Sequence, residues 1–115
     1  MAVTAIHPGE HLSEELQTLG ISAAELARNL DVPTNRITQI VNGQRAITGD
    51  TALRFAHFFG TSPEFWLNLQ NIYELLLARQ KAGRTIKGLP RLKREHAPSV
   101  PKNAGRRGLY KKAIP

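Results

Sequence analysis

The sequence predicts an all-α fold of five helices followed by a basic, largely disordered C-terminal tail. Apolar residues recur at spacings of three and four through residues 8–82, and Ser, Thr, Pro and Gly stand where helices start and stop. From Gly83 onward the string GRTIKGLPRLKREHAPSVPKNAGRRGLYKKAIP holds four Pro, four Gly and no helical period. Such a composition buries too little apolar surface to offset chain entropy. At 115 residues the chain has length for one core and an appendage, which divides it into a domain over 1–83 and an extension over 84–115.

Helix 1 lies between Pro8, near its first position, and Gly20, past its end, with Leu12, Leu16 and Leu19 expected inward. Helix 2 starts at Ser22, whose hydroxyl can accept from an orphan N–H, and Glu25 completes a capping box. Its inward face is Leu26, Ala27 and Leu30. Asp31 takes the corner, Val32 points back to the core, and Pro33 stops helix 2 while presetting φ for helix 3. Helix 3 runs to about Asn42 with Ile37, Ile40 and Val41 buried, and Gly43 closes it as a left-handed residue. Thr48 is expected to cap helix 4, whose core face reads Ala52, Leu53, Ala56 and Phe59 before Gly60 ends it. Ser62 and Pro63 open helix 5, which is expected to reach about Ala82, with Arg84 to Leu92 as a short extended arm.

Helices 2 and 3, joined by so tight a corner, form a helix-turn-helix. The outer face of helix 3 carries Thr34, Asn35, Arg36, Thr38 and Gln39. An ordinary solvated face more often carries Glu and Lys, whereas these side chains can pair with base edges in the major groove. Thr34, Asn35 and Gln39 are the candidate base readers, by their place at the start and outer face of helix 3. Arg36, Arg45 and the helix 2 N-terminus at Ser22 are the candidate phosphate contacts. Asn42 reads equally as a phosphate contact or a local cap. The apolar residues of helix 5 (among them Trp66, Leu69, Ile72, Leu75 and Leu76) cover more than one stripe, which points to a homodimer or partner interface.

The ordered strings HPGE at 7–10, ITQIVNGQRAIT at 37–48 and DTALRFAHFFGTSPEFWLNLQ at 50–70 resemble the Xre/Cro-type helix-turn-helix proteins, and within them the HigA-type (VapI-like) antitoxins. The resemblance spans roughly Ile6 to Gly83. It implies a five-helix, lambda-repressor-like DNA-binding domain that acts as a dimer on a palindromic operator in double-stranded DNA. It further implies autorepression of a two-gene operon and neutralisation of a HigB-type ribonuclease toxin. Asp31 stands where this family usually has a corner Gly, and the tail after Gly83 is outside the usual pattern. Two other functions stay open: a solitary Xre-family regulator without a toxin, or a protein whose main role is toxin sequestration. For the latter, Glu10, Glu14 and Glu15 on helix 1 are a candidate contact for a basic toxin.

The net charge of +7 divides unevenly, because residues 1–83 carry six Lys and Arg against eight Asp and Glu, while 84–115 carry ten against Glu95 alone. The domain must therefore bind nucleic acid through a local positive stripe, and the tail reads as a nucleic-acid grip, a partner contact or a plain solvated extension. With no Cys there is no disulfide, thiolate zinc site or Cys nucleophile, which fits a reducing cytosol. No apolar run approaches a membrane span and the N-terminus lacks signal-peptide features, so a cytoplasmic location without membrane contact is expected. The string HPGEH at 7–11 matches a zinc-protease spacing, but Pro8 and Gly9 set His7 at the helix entrance rather than on a formed turn. His57 reads as packing or surface, and Trp66 with Phe65 as core or interface rather than a base-stacking platform. No cofactor, metal or catalytic set is expected, so the chain should act by binding, not as an enzyme.

Overall fold

A computed structural model describes residues 4–93, which form five helices: α1 (Pro8–Leu19), α2 (Ala23–Leu30), α3 (Thr34–Val41), α4 (Gly49–Phe59) and α5 (Pro63–Lys87). Helix α3 packs between α2 and α1, and α4 lies against α2 and α5. The shared core comprises Leu12, Leu16, Leu26, Leu30, Ile37, Ile40, Ile47, Phe55 and Trp66, with Ala27 and Ala52 filling the close approaches.

The local signals act where expected. Ser22 Oγ accepts from the Glu25 N–H at 3.0 Å, and Ser62 Oγ from the Phe65 N–H at 3.1 Å. Asp31 adopts the left-handed region (φ 57°), the one such residue other than glycine among the described residues. It does at the corner what Gly43 (φ 76°) does after α3. Asp enters this region at lower cost than most residues, which is why a corner without Gly still turns. The Val32 N–H then reaches the Ala27 carbonyl at 3.0 Å and closes α2.

Four expectations are corrected. Leu19 is half exposed, because Gly20 turns the chain at the end of α1 and brings Ile21 back against the core, its N–H bonded to the Leu16 carbonyl at 3.1 Å. Leu53 is 62% exposed and Phe55 takes its place inside. The buried set Thr51, Ala52, Phe55 and Ala56 is rotated away from Leu53, which falls on the solvent side of α4 with Asp50 and His57. Thr48 holds the N-cap position of α4 but makes no side-chain hydrogen bond to a helix N–H; its Oγ1 lies 3.5 Å from Thr51 Oγ1. Finally, α5 passes Ala82 and Gly83 and ends at Lys87, so Arg84–Lys87 is helix rather than extended arm. One interior Gly costs only about 1 kcal/mol, and Pro90 is the next breaker. The division between 83 and 84 thus falls inside a helix, and the rest of the expected tail from residue 94 lies outside the described residues.

Trp66 organises the far side of the core. Its ring centroid lies 5.0 Å from Phe55 and 5.6 Å from Phe59, and its indole N–H donates to Thr61 Oγ1 at 2.9 Å. Phe65 is 40% exposed and meets the edge of His11. Among the described residues no helix is long and apolar enough to cross a membrane.

Candidate nucleic-acid interface

The outer face of α3 is held in place by contacts at both of its ends. At the N-terminal end of α1, His7 Nδ1 accepts from the Gly9 N–H at 2.9 Å, so the imidazole serves as a helix cap. Burial pushes the His7 pKa down, opposed by the nearby Glu10 carboxylate. Gly9 is buried against the last turn of α3: a Cβ there would lie 1.9 Å from the Ile40 carbonyl oxygen. The string HPGE is therefore a seat for α3, with His as cap, Pro at the first helical position and Gly allowing backbone contact.

Thr34 and Asn35 are exposed at the first turn of α3, and neither side chain donates or accepts a hydrogen bond among the described residues. The Thr38 hydroxyl points back to the Asn35 carbonyl at 3.3 Å. Gln39 is half-buried, and its Oε1 accepts from Arg45 Nε at 2.8 Å. That bond leaves the Gln39 amide nitrogen as a donor and the rest of the Arg45 fork facing solvent. Asn42 sits at the C-cap of α3 through its backbone N–H, while its exposed side chain makes no hydrogen bond. Ser22 belongs to the start of α2, with its hydroxyl occupied by the cap. The fold thus joins Gln39 to Arg45 and Asn35 to Thr38, and leaves Ser22 as a separate point on the motif.

Arg36 is tied from the side. Its Nη1 bonds Asp50 Oδ2 at 2.8 Å, and the same oxygen receives Arg54 Nε at 2.9 Å. Arg54 in turn donates Nη1 to the Leu30 carbonyl at 2.7 Å, covering the C-terminal end of α2 where cations are favoured. The hydrogen bonds from Arg54 and Arg36 hold the Asp50 carboxyl below its usual pKa. One chain of contacts therefore links α2, α3 and α4, while Arg36 keeps four of its five donors free for an anion.

Sequence reasoning missed Asp50, Arg54 and Gln70 as supports of this face. The Asp50–Arg54 spacing of four was readable as a helix pair, but nothing local signalled its reach to Arg36 and Leu30. Gln70 is buried on α5, where its Oε1 accepts the Ile47 N–H at 2.9 Å and its Nε2 donates to Glu74 at 2.8 Å. It anchors the loop that carries Arg45.

A family model described as helix-turn-helix matches residues 12–66. Virulence-associated protein I of Dichelobacter nodosus is 52% identical over 77 residues, which cover 66% of this chain and 71% of that one. An addiction module antidote protein of the HigA family from Coxiella burnetii superposes with a TM-score of 0.76 at 54% identity, covering 78% of this chain and all of the other. The Pseudomonas aeruginosa antitoxin HigA, solved with the higBA promoter, gives a TM-score of 0.74 at 41% identity, again over 78% of this chain and all of the other.

Proposed function

The chain belongs to the HigA/VapI-like branch of the Xre/Cro helix-turn-helix family of DNA-binding transcriptional regulators, and on that premise we propose that it is the antitoxin of a toxin–antitoxin module. It represses its own operon by occupying a palindromic operator as a homodimer, and it neutralises a ribonuclease toxin encoded beside it. Its action is binding, not catalysis.

The observation that carries this reading is the outer face of α3: short polar side chains, two of them with unspent hydrogen-bonding groups and a third, Gln39, oriented by Arg45. Thr34, Asn35 and Gln39 read base edges. Arg36, Arg45, Asn42 and the α2 N-terminus at Ser22 meet phosphates and set the register, with Thr38 stiffening the first turns of the helix. The dimer is supported by α5, where Ile72, Leu75, Ile86 and Leu89, the last just past its end, are each more than half exposed. Together with Ala82 they recur at spacings of three and four or their sums, the seam that pairs helices.

An operator duplex selected from random sequence by the full chain tests the DNA arm. Asn35→Ala should weaken that duplex by about 1–3 kcal/mol and leave a scrambled duplex nearly unchanged. Equal losses on both would move Asn35 to the phosphate contacts. Co-expression with the product of the adjacent gene tests the toxin arm: a stable complex that abolishes RNA cleavage is expected, and a neighbour without ribonuclease activity would reduce the chain to a solitary repressor.

A further inference from the structure

The C-terminal half of α5 carries charge that the helix-turn-helix does not use. From Leu75 to Lys93 the chain holds Arg79, Lys81, Arg84, Lys87, Arg91 and Lys93, and no Asp or Glu. All six are exposed, and the ion pairs among the described residues both belong to Asp50. Arg79, Arg84 and Lys87 border one surface notch, opened by Gly83.

The path of α5 shows where this charge is delivered. Trp66 lies in the core, Gln70 bonds the Ile47 N–H, and Tyr73 packs on His7 with ring centroids 4.9 Å apart. His7 in turn borders Gly43 at the end of α3. The helix therefore runs past the α3–α4 loop, which carries Arg45, and beyond Gln70 no residue of it is buried. From Tyr73 to Lys87 it extends about 20 Å at 1.5 Å per residue. With 3.6 residues per turn, Lys81, Arg84 and Lys87 lie on the side of the helix opposite Ile72, Leu75 and Ile86. Pairing of that apolar seam with a second copy leaves the three cations facing outward.

We infer that Lys81, Arg84 and Lys87 grip the phosphates of duplex DNA flanking the half-site that α3 reads. This rests on the operator-binding reading and adds a second contact region to it. Unopposed exposed cations recognise negative charge and little else. The stretch from Glu74 to Lys93 has no Phe, Tyr or Trp on which unpaired bases could stack, which favours a duplex over a single strand. Each cation that meets a phosphate releases condensed counterions and steepens the salt dependence of binding.

The test compares the full chain with a K81Q/R84Q/K87Q variant on two selected operator duplexes, one ending at the half-sites and one extended on both sides, across a salt series. On the extended duplex the variant should show a slope of log affinity against log salt flatter by about 0.9 for each cation lost per subunit. On the short duplex the two proteins should have the same slope, and K81R/K87R should keep the wild-type slope on both. Gln preserves helix propensity, and circular dichroism of the variant checks the fold. If wild type and variant share one slope on the extended duplex while the operator is still preferred over a scrambled sequence, the inference is overturned and the operator reading stands. If the full chain shows no preference for any duplex, both fall.

Discussion

Replacing Gly9 with Ala sets two physical effects against each other. A Gly→Ala change inside a helix ordinarily stabilises by up to about 1 kcal/mol, because Ala loses less conformational freedom on folding. At Gly9 the added Cβ would lie 1.9 Å from the Ile40 carbonyl oxygen, 2.8 Å from its carbon and 3.1 Å from the Val41 Cα. These are backbone atoms of α3, so no side-chain rotation relieves the clash, and α1 and α3 must separate by about 1 Å or more. Overpacking of this kind costs roughly 1–3 kcal/mol or more, and contact with backbone places Gly9 at the upper end, so a net loss of about 2–3 kcal/mol is expected. For a domain of this size that lowers the melting temperature by roughly 10–20 °C. Urea unfolding measures the loss directly, and operator affinity should fall with it because α3 is the element displaced. Gly20→Ala supplies the comparison: its φ of 71° is strained for Ala but open space surrounds it, so it should cost only about 1 kcal/mol. A Gly9→Ala protein as stable as the original would refute the close-approach argument and return HPGE to a simple cap.

Because Arg45 holds Gln39 through a 2.8 Å bond, Arg45→Ala and Gln39→Ala should not be additive on the selected operator; a double-mutant cycle should return a coupling of at least about 0.5 kcal/mol, and strict additivity would separate the two residues. Ile72→Asp with Leu75→Asp should convert a dimer to a monomer in sedimentation at micromolar concentration, since both residues are more than half exposed and the core is untouched; persistence of the dimer would place the interface elsewhere. Burial lowers the His7 pKa, so the folded state binds fewer protons there than the unfolded chain. That contribution is fully present above the ordinary histidine value of about 6.5, declines as pH falls through it, and levels off below the depressed folded value. Urea unfolding at pH 7.5 and 5.5 should show this loss for the natural chain and a smaller one for His7→Asn, which can still cap α1; equal losses would take His7 out of the pH dependence.

The helices, their caps and the corner were legible without coordinates because each depends on a few adjacent residues. Ser22 and Ser62 cap where their hydroxyls reach an N–H three residues on, and Asp31 and Gly43 turn the chain by their own φ preference. The outer residues of α3 were legible for the same reason, since a period of 3.6 assigns faces within one helix. What periodicity could not decide was which of several apolar faces meets a neighbour. In α4 the pattern admitted Leu53, but the positions of α2 and α5 select Phe55, and on α1 the end of the core falls before Leu19. The supports of the site were equally out of reach: Arg54 on the Leu30 carbonyl, Gln70 on the Ile47 N–H and Gly9 against Ile40 join residues more than twenty positions apart. Such contacts follow from how helices stack, and stacking is set by the volumes and directions of many side chains together. The sequence alone determined the helix-turn-helix and the polar face it presents; the tertiary structure decided how that face is held, because orientation between helices is carried by contacts that no local window contains.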